Sequence, residues 1–405
     1  MAEVTCNLIA TGTVFGDQVI PCYSILSYYL FRHAQIRSRI KLLTPLDSFN
    51  RWFSNALDSS QSAKGGDILK TVLLFCSMVL GMNAYASNPG YHVIKKLQLG
   101  GEGRWDLLTV DSAARRLYIS RSTHVMVVDL DTDKLAGDIP DTPGVHGIAV
   151  AAELNRGFTS NGKANTATIF DLKTLKVLGH VKTGKNPDDI LYDPASRRVF
   201  TFNGRSKDAT VFDAASGEVA GTIALGGRPE FAKADGKGKV YANIEDTSEV
   251  VEIDSRKLAV TKRFSLKPGE EPSGMGLDTE HHRVFSGCHN KLMTILDTEA
   301  GKVIATVPIG ERVDGNGFDS ETGLAFSSNG DGTLTVVRES SPGKFEVAET
   351  VTTQRGSRTM AIDPKTHKIY VPAAQFGPTP APTSENPRPR PTIIKDSFAI
   401  LVIGK

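Results

Sequence analysis

Seven related segments, recurring every 40 to 44 residues, constrain this chain more than any other feature of it. LLTVDSAARRLYIS begins at Leu107, DILYDPASRRVFTF at Asp189, FAKADGKGKVYANI at Phe231, GMGLDTEHHRVFSG at Gly274 and TMAIDPKTHKIYVP at Thr359, with weaker copies from Gly147 and Gly315. Their anchor positions are Asp111, Ala151, Asp193, Asp235, Asp278, Asp319 and Asp363. Each copy is a short apolar run, a polar turn, a second run, and a third run ending in aspartate. MVVD, TIFD, TVFD, VEID and TILD end at Asp129, Asp171, Asp213, Asp254 and Asp297, and a fourth run such as EVAGTIALGG follows. Four short β-rich runs per unit, separated by turn residues and without helical period, predict a β-propeller blade. The expected fold is all-β, with seven four-stranded antiparallel blades in a ring that leaves no long sheet edge exposed. The last copy stops at its third run, SFAILVIGK. YHVIKKLQLGG, from Tyr91, is expected to supply the missing fourth strand and close the circle.

Upstream of the repeats, KTVLLFCSMVLGMNAYA (70–86) has the lysine, the apolar run and the small-x-small ending of a secretory signal. Its apolar core of about eleven residues is too short to span a bilayer as a helix. The expected organisation is therefore an extension at 1–68, spurious or disordered, a signal peptide at 69–86 cut after Ala86, and a propeller at 87–405. The rival is a cytoplasmic tail ahead of an uncleaved anchor, and a short helix around 28–43 is compatible with either. Periplasmic and secreted locations both remain open. Cys6, Cys22 and Cys76 precede the cut, so Cys288 alone remains, and it reads as a small buried hydrophobe. Seven of the 47 basic and five of the 45 acidic residues also lie at or before Ala86, leaving 40 of each. That neutrality argues against a broad nucleic-acid or anionic-membrane surface, and a monomer is expected.

The blade pattern seen in ILDTEAGKVIATVPIG, together with YDPASRRVF and IDPKTHKIYV, resembles the YVTN-repeat, YncE-like β-propeller family of bacterial exported proteins. The resemblance spans Tyr91 to Lys405. It implies a seven-bladed exported propeller, in a family whose members are linked to single-stranded DNA binding, cell-surface layers and redox-enzyme subunits. Fold alone transfers none of these activities.

In a propeller the turns entering the inner strands share one face with the turns joining second and third strands, around the channel mouth. Five residues before the anchors stand Asp106, His146, Asp188, Glu230, Ser273, Asp314 and Arg358. Such a ring can hold a divalent cation such as Ca²⁺, and an imidazole widens the choice to transition metals; His146, Asp188 and Glu230, from consecutive blades, are the expected ligands. The plainer reading is hydration plus salt bridges to Arg104, Arg228, Arg312 and Arg358. Ten residues past the anchors, Asn161 and Asn203 recur, as does Asn329; they read as tight-turn residues that could also line a pocket. Trp105 abuts the ring, as packing or as a ligand platform. The Pro-rich insertion at 377–397 is expected to be an extended arm on the same face, a lid, a partner-docking segment or a passive loop.

Catalytic signatures are missing. DLDTD at Asp129 starts like a calcium loop, but Lys134 and Pro140 occupy its required glycine and glutamate. There is no G-x-S-x-G, H-E-x-x-H, Walker or C-x-x-C-H motif. His281 and His282 read as exposed turn residues on the opposite face. Three functions follow: a non-catalytic binding propeller presenting its top face to a protein, glycan or small ligand; a metal-assisted, lactonase-like hydrolase with Asp188 or Glu230 as base; and, by family analogy alone, single-stranded DNA binding.

Overall fold

The computed structural model describes residues 90–384, 387 and 389–405. The upstream extension, the helix around 28–43, the signal, its cut and the first three cysteines lie outside the described residues. Seven four-stranded antiparallel sheets follow, at 108–139, 145–182, 187–224, 229–265, 272–308, 313–352 and 361–404, here blades I to VII. Successive inner strands neighbour one another around the channel. His92–Gln98 pairs antiparallel with Ala399–Gly404 as the fourth strand of blade VII, so the ring closes as the sequence predicts.

Burial follows strand position within a blade. The two middle strands of blade III, Arg198–Asn203 and Asp208–Asp213, are buried on both faces, whereas the outer strand Val219–Ala224 is mostly exposed. A strand sandwiched between blades reads as a continuous apolar run rather than an alternation. The core is accordingly divided into seven apolar clusters, one at each seam between blades. Phe200, Phe202 and Val211 of blade III, for example, meet Val240, Ala242 and Ile253 of blade IV. Burying a Phe or Val contributes roughly 1.5–3 kcal/mol, so ring closure recruits a whole seam at once.

The repeated aspartates have a local cause. Asp193 accepts the amide of Ser196 at 3.1 Å, and Asp213 accepts that of Ser216 at 2.8 Å. A carboxylate satisfying backbone donors in a tight turn fixes where the strand reverses. Four residues past the anchors, Arg115, Asn155, Arg197, His282 and His367 take φ between 53° and 56°, and Gly323 occupies the same place in blade VI. The turn geometry, not the side chain, is what repeats there.

Closure has a second fastening. Arg121 is fully buried, its guanidinium 3.8 Å from the Phe398 ring centroid. It donates to the carbonyls of Gly100, Gly101, Glu102 and Gly103 at 3.1, 3.2, 2.8 and 3.0 Å, tying blade I to the segment that follows the closing strand. Burial pulls its pKa down to about 10.

The arm leaves blade VII between Lys368–Ala373 and Ala399–Gly404. Among the described residues its strand pairing is confined to one bridge at the base, Phe376 with Ile393, beyond which prolines remove the donors a ladder needs. No described helix is long and apolar enough to cross a membrane.

Candidate ligand site at the channel mouth

The mouth residues are aimed by irregular pairing. In blade III the register shifts between Pro187 and Asp189, leaving Asp188 out of the ladder. Equivalent shifts release His146, Glu230, Ser273 and Asp314 in blades II, IV, V and VI. A bulge turns a side chain out of the alternation, so five blades each present a mouth residue toward the channel.

Three of these groups converge. His146 Nδ1 lies 2.5 Å from Asp106 Oδ2 and 3.1 Å from Asp188 Oδ1. The three ligand-type atoms are all within 4.8 Å of one another and come from blades I, II and III. Burial disfavours the charged imidazole, but the hydrogen bond and charge of Asp106, with Asp188 and Asp314 behind it, raise the His146 pKa overall. Burial pushes Asp188 up to about 6, against the attraction of His146. Asp189, buried one residue on and accepting the Ala232 amide at 2.9 Å, is likewise raised to about 6 by burial.

Glu230 stands beside this group but outside it. Burial first, then the charge of Asp188 and the neighbouring Glu245 carboxyl, push it up to about 10, so it is a neutral acid at physiological pH. Of the expected trio His146, Asp188 and Glu230, two members come together and Asp106 takes the third place. Asp314 accepts the Ser273 hydroxyl at 2.8 Å and pairs with Arg358 Nε at 3.1 Å. Burial raises the Asp314 pKa while Arg358 opposes it, and Asp314 in turn raises that of Arg358.

The arginines expected to neutralise the ring are mostly engaged elsewhere. Arg228 pairs with Glu245, Arg312 donates to the Gly330 carbonyl at 2.8 Å, and Arg104 donates to the Pro391 carbonyl at 2.5 Å. Burial, then the like charges of Arg390 and Arg358, lower the Arg104 pKa. Asp106 and Asp188 therefore share a histidine and no arginine among the described salt bridges.

The asparagines are structural brackets. Asn161, Asn203 and Asn329 are fully buried and donate to Thr168, Thr210 and Thr335 of their own blades at 2.8, 3.0 and 3.1 Å. Trp105 packs on Phe376 and Phe398, with centroids 6.0 and 5.4 Å away, in the seam between blades VII and I. Cys288 is buried, its thiol pushed up to about 12 by that burial. A cleft lined by Tyr91, Leu324, Val336, Arg338 and Lys405 opens at blade VI and contains none of the mouth residues.

Sequence reasoning missed Glu245, Glu271 and His289, a second acid–imidazole group with ligand atoms within 4.8 Å of one another, on the seam of blades IV and V. A signal existed. Glu245 stands ten residues past its anchor, where three copies carry asparagine and the others carry Arg121, Cys288 and Ala373.

No family model and no curated protein sequence matches the chain. Among solved structures, hydrazine synthase of Kuenenia stuttgartiensis superposes with a TM-score of 0.59 at 16% identity, covering 77% of this chain and 99% of that one. A structure of U3-55K superposes with a TM-score of 0.64 at 9% identity and the same coverage. At such identities the likeness carries the propeller fold alone.

Proposed function

We propose that the chain is an exported, ligand-binding propeller of the YVTN-repeat, YncE-like kind, and that its top-face site holds a divalent transition cation through Asp106, His146 Nδ1 and Asp188. The carrying observation is the bracket of one imidazole by two carboxylates from neighbouring blades. Three protein ligands of mixed nitrogen and oxygen character suit Zn²⁺ or Mn²⁺ better than Ca²⁺, whose sites are built from oxygen. Coordination positions left open would face solvent and accept a donor atom from a small ligand or a partner protein. The repeat pattern supports the family reading, and the apolar run at 70–86 supports export.

The cation must displace the proton on Nδ1, so its binding should release protons and weaken as pH falls. Calorimetric titration of Zn²⁺, Mn²⁺ and Ca²⁺ into the protein and into an Asp106→Asn, Asp188→Asn variant tests this. Tight binding of Zn²⁺ or Mn²⁺ that the variant loses supports the site; equal heats in both proteins refute it.

Metal-assisted hydrolysis is the second reading, and one observation favours it: Glu230, with its pKa pushed up to about 10, is a neutral acid beside the cluster. With a cation polarising a carbonyl, Glu230 would donate a proton to the leaving group. A lactone and aryl-ester screen with added manganese decides. Turnover abolished by Glu230→Gln supports hydrolysis, and no turnover leaves the binding reading.

A further inference from the structure

A second meeting of one imidazole with two carboxylates lies where blade IV adjoins blade V, and the mouth reading does not use it. Glu245 directly follows the second strand of blade IV, Lys239–Ile244. Glu271 directly precedes the inner strand of blade V, Pro272–Asp278, and His289 directly follows that blade's second strand, Arg283–Cys288. All three stand in turns on the mouth face, on three separate stretches of chain. His289 Nδ1 is 3.3 Å from Glu271 Oε2 and 4.0 Å from Glu245 Oε1, and the three ligand-type atoms are within 4.8 Å of one another.

Backbone contacts hold this geometry in place. The His289 amide donates to the carbonyls of Glu270 and Glu271 at 3.0 and 3.3 Å, which joins the two turns of blade V. The Glu271 amide donates to Ser248 Oγ at 3.2 Å, and the Ser248 amide to the Glu245 carbonyl at 3.2 Å, which ties blade V to the turn that carries Glu245. Glu245 is only 7% exposed, and its Oε2 is shut off from solvent without a hydrogen bond. The Arg228 guanidinium offsets the charge of that oxygen, while Oε1 faces the imidazole. Glu271 and His289 are exposed, so a cation can enter from solvent. The fold itself does not call for an acid at this place, since no other blade carries one there.

We propose that Glu245, Glu271 and His289 form a second divalent-cation site, one that takes Zn²⁺ or Mn²⁺ and clamps blade IV to blade V on the mouth face. One nitrogen and two oxygens suit a transition cation better than Ca²⁺, and water completes the coordination on the exposed side. Because its ligands come from turns of both blades, the bound cation cross-links a seam that is otherwise joined by apolar packing and backbone contacts. The site shares no ligand with Asp106, His146 and Asp188, and it stands or falls separately from them.

The test is calorimetric titration of Zn²⁺ into the protein, into Glu271→Gln and His289→Gln, and into the Asp106→Asn, Asp188→Asn variant with and without His289→Gln. Glu271 and His289 are exposed, so neither substitution disturbs the packing. Each single substitution should weaken one zinc equivalent by at least about tenfold, the least that removing even an outer-shell partner costs a metal site. Zinc should still raise the melting temperature of the Asp106→Asn, Asp188→Asn variant, and adding His289→Gln should abolish that rise. Two results overturn the clamp. One is no zinc binding in the Asp106→Asn, Asp188→Asn variant; the other is a Glu271→Gln protein that binds as the wild type does, which would leave zinc on a surface imidazole alone. Failure of the mouth site reads differently, as zinc heats in the Asp106→Asn, Asp188→Asn variant equal to those of the wild type.

Discussion

His146 Nδ1 stands 2.5 Å from Asp106 Oδ2, a contact that joins blade I to blade II at the channel mouth. The imidazole gains more from the aspartates than burial removes, so its pKa in the fold exceeds the ordinary value near 6.5. A raised value means the folded state holds this proton more tightly than the unfolded chain does. The stabilisation is complete below about pH 6.5 and disappears as pH rises through the higher folded value. In the absence of metal, His146→Gln should therefore lower the melting temperature at pH 5.5 and cost much less at pH 9, as thermal unfolding across that range would show. An effect that grows with pH would be the wrong sign.

Glu230 carries the opposite prediction for its own removal. Its carboxyl, raised to about 10, is neutral in the fold and ionised when unfolded at any pH between. The wild-type chain accordingly loses stability as pH climbs above the unfolded value, whereas Glu230→Gln does not. The variant should match wild type near pH 4 and melt about 2–4 °C higher at pH 9, the shift given by roughly 1 kcal/mol in a large domain.

Gly162 makes room for the site. A Cβ built there would fall 2.7 Å from His146 Nε2, too close for the ring to stay. Gly162→Ala should displace the imidazole and weaken Zn²⁺ binding by about tenfold, an energy of about 1.4 kcal/mol, while the melting temperature moves little. Unchanged zinc affinity would show that the ring position is immaterial.

Arg121 is expected to matter for the seam and not for binding. Arg121→Met leaves the carbonyls of Gly100 to Gly103 without their donor and should cost about 2–4 kcal/mol. Hydrogen exchange should rise first in His92–Gln98 and Ala399–Gly404, the strands of the closure. Uniform acceleration across all blades would mean that the clasp has no local role.

The ring was legible in the sequence because its determinants are local. Asp193 and Asp213 mark their turns by bonding to amides two and three residues on, and every blade repeats the device. Counting back from the anchors also found the mouth residues. Which of them would meet was not legible. The bulges that free Asp188 and Glu230 rotate each side chain by an amount no spacing records, and Arg104 and Arg312 bond to carbonyls, which leave no mark in a charge pattern. Glu245 was visible only as a departure from the asparagine that three copies carry, and its carboxyl hydrogen-bonds with that of Glu230.

The most direct measurement is an anomalous difference map from zinc-soaked crystals. A peak about 2.1 Å from His146 Nδ1 and within bonding reach of one oxygen each from Asp106 and Asp188 is the predicted result. A map with no peak at the mouth, or with zinc only between Glu245, Glu271 and His289, would contradict it.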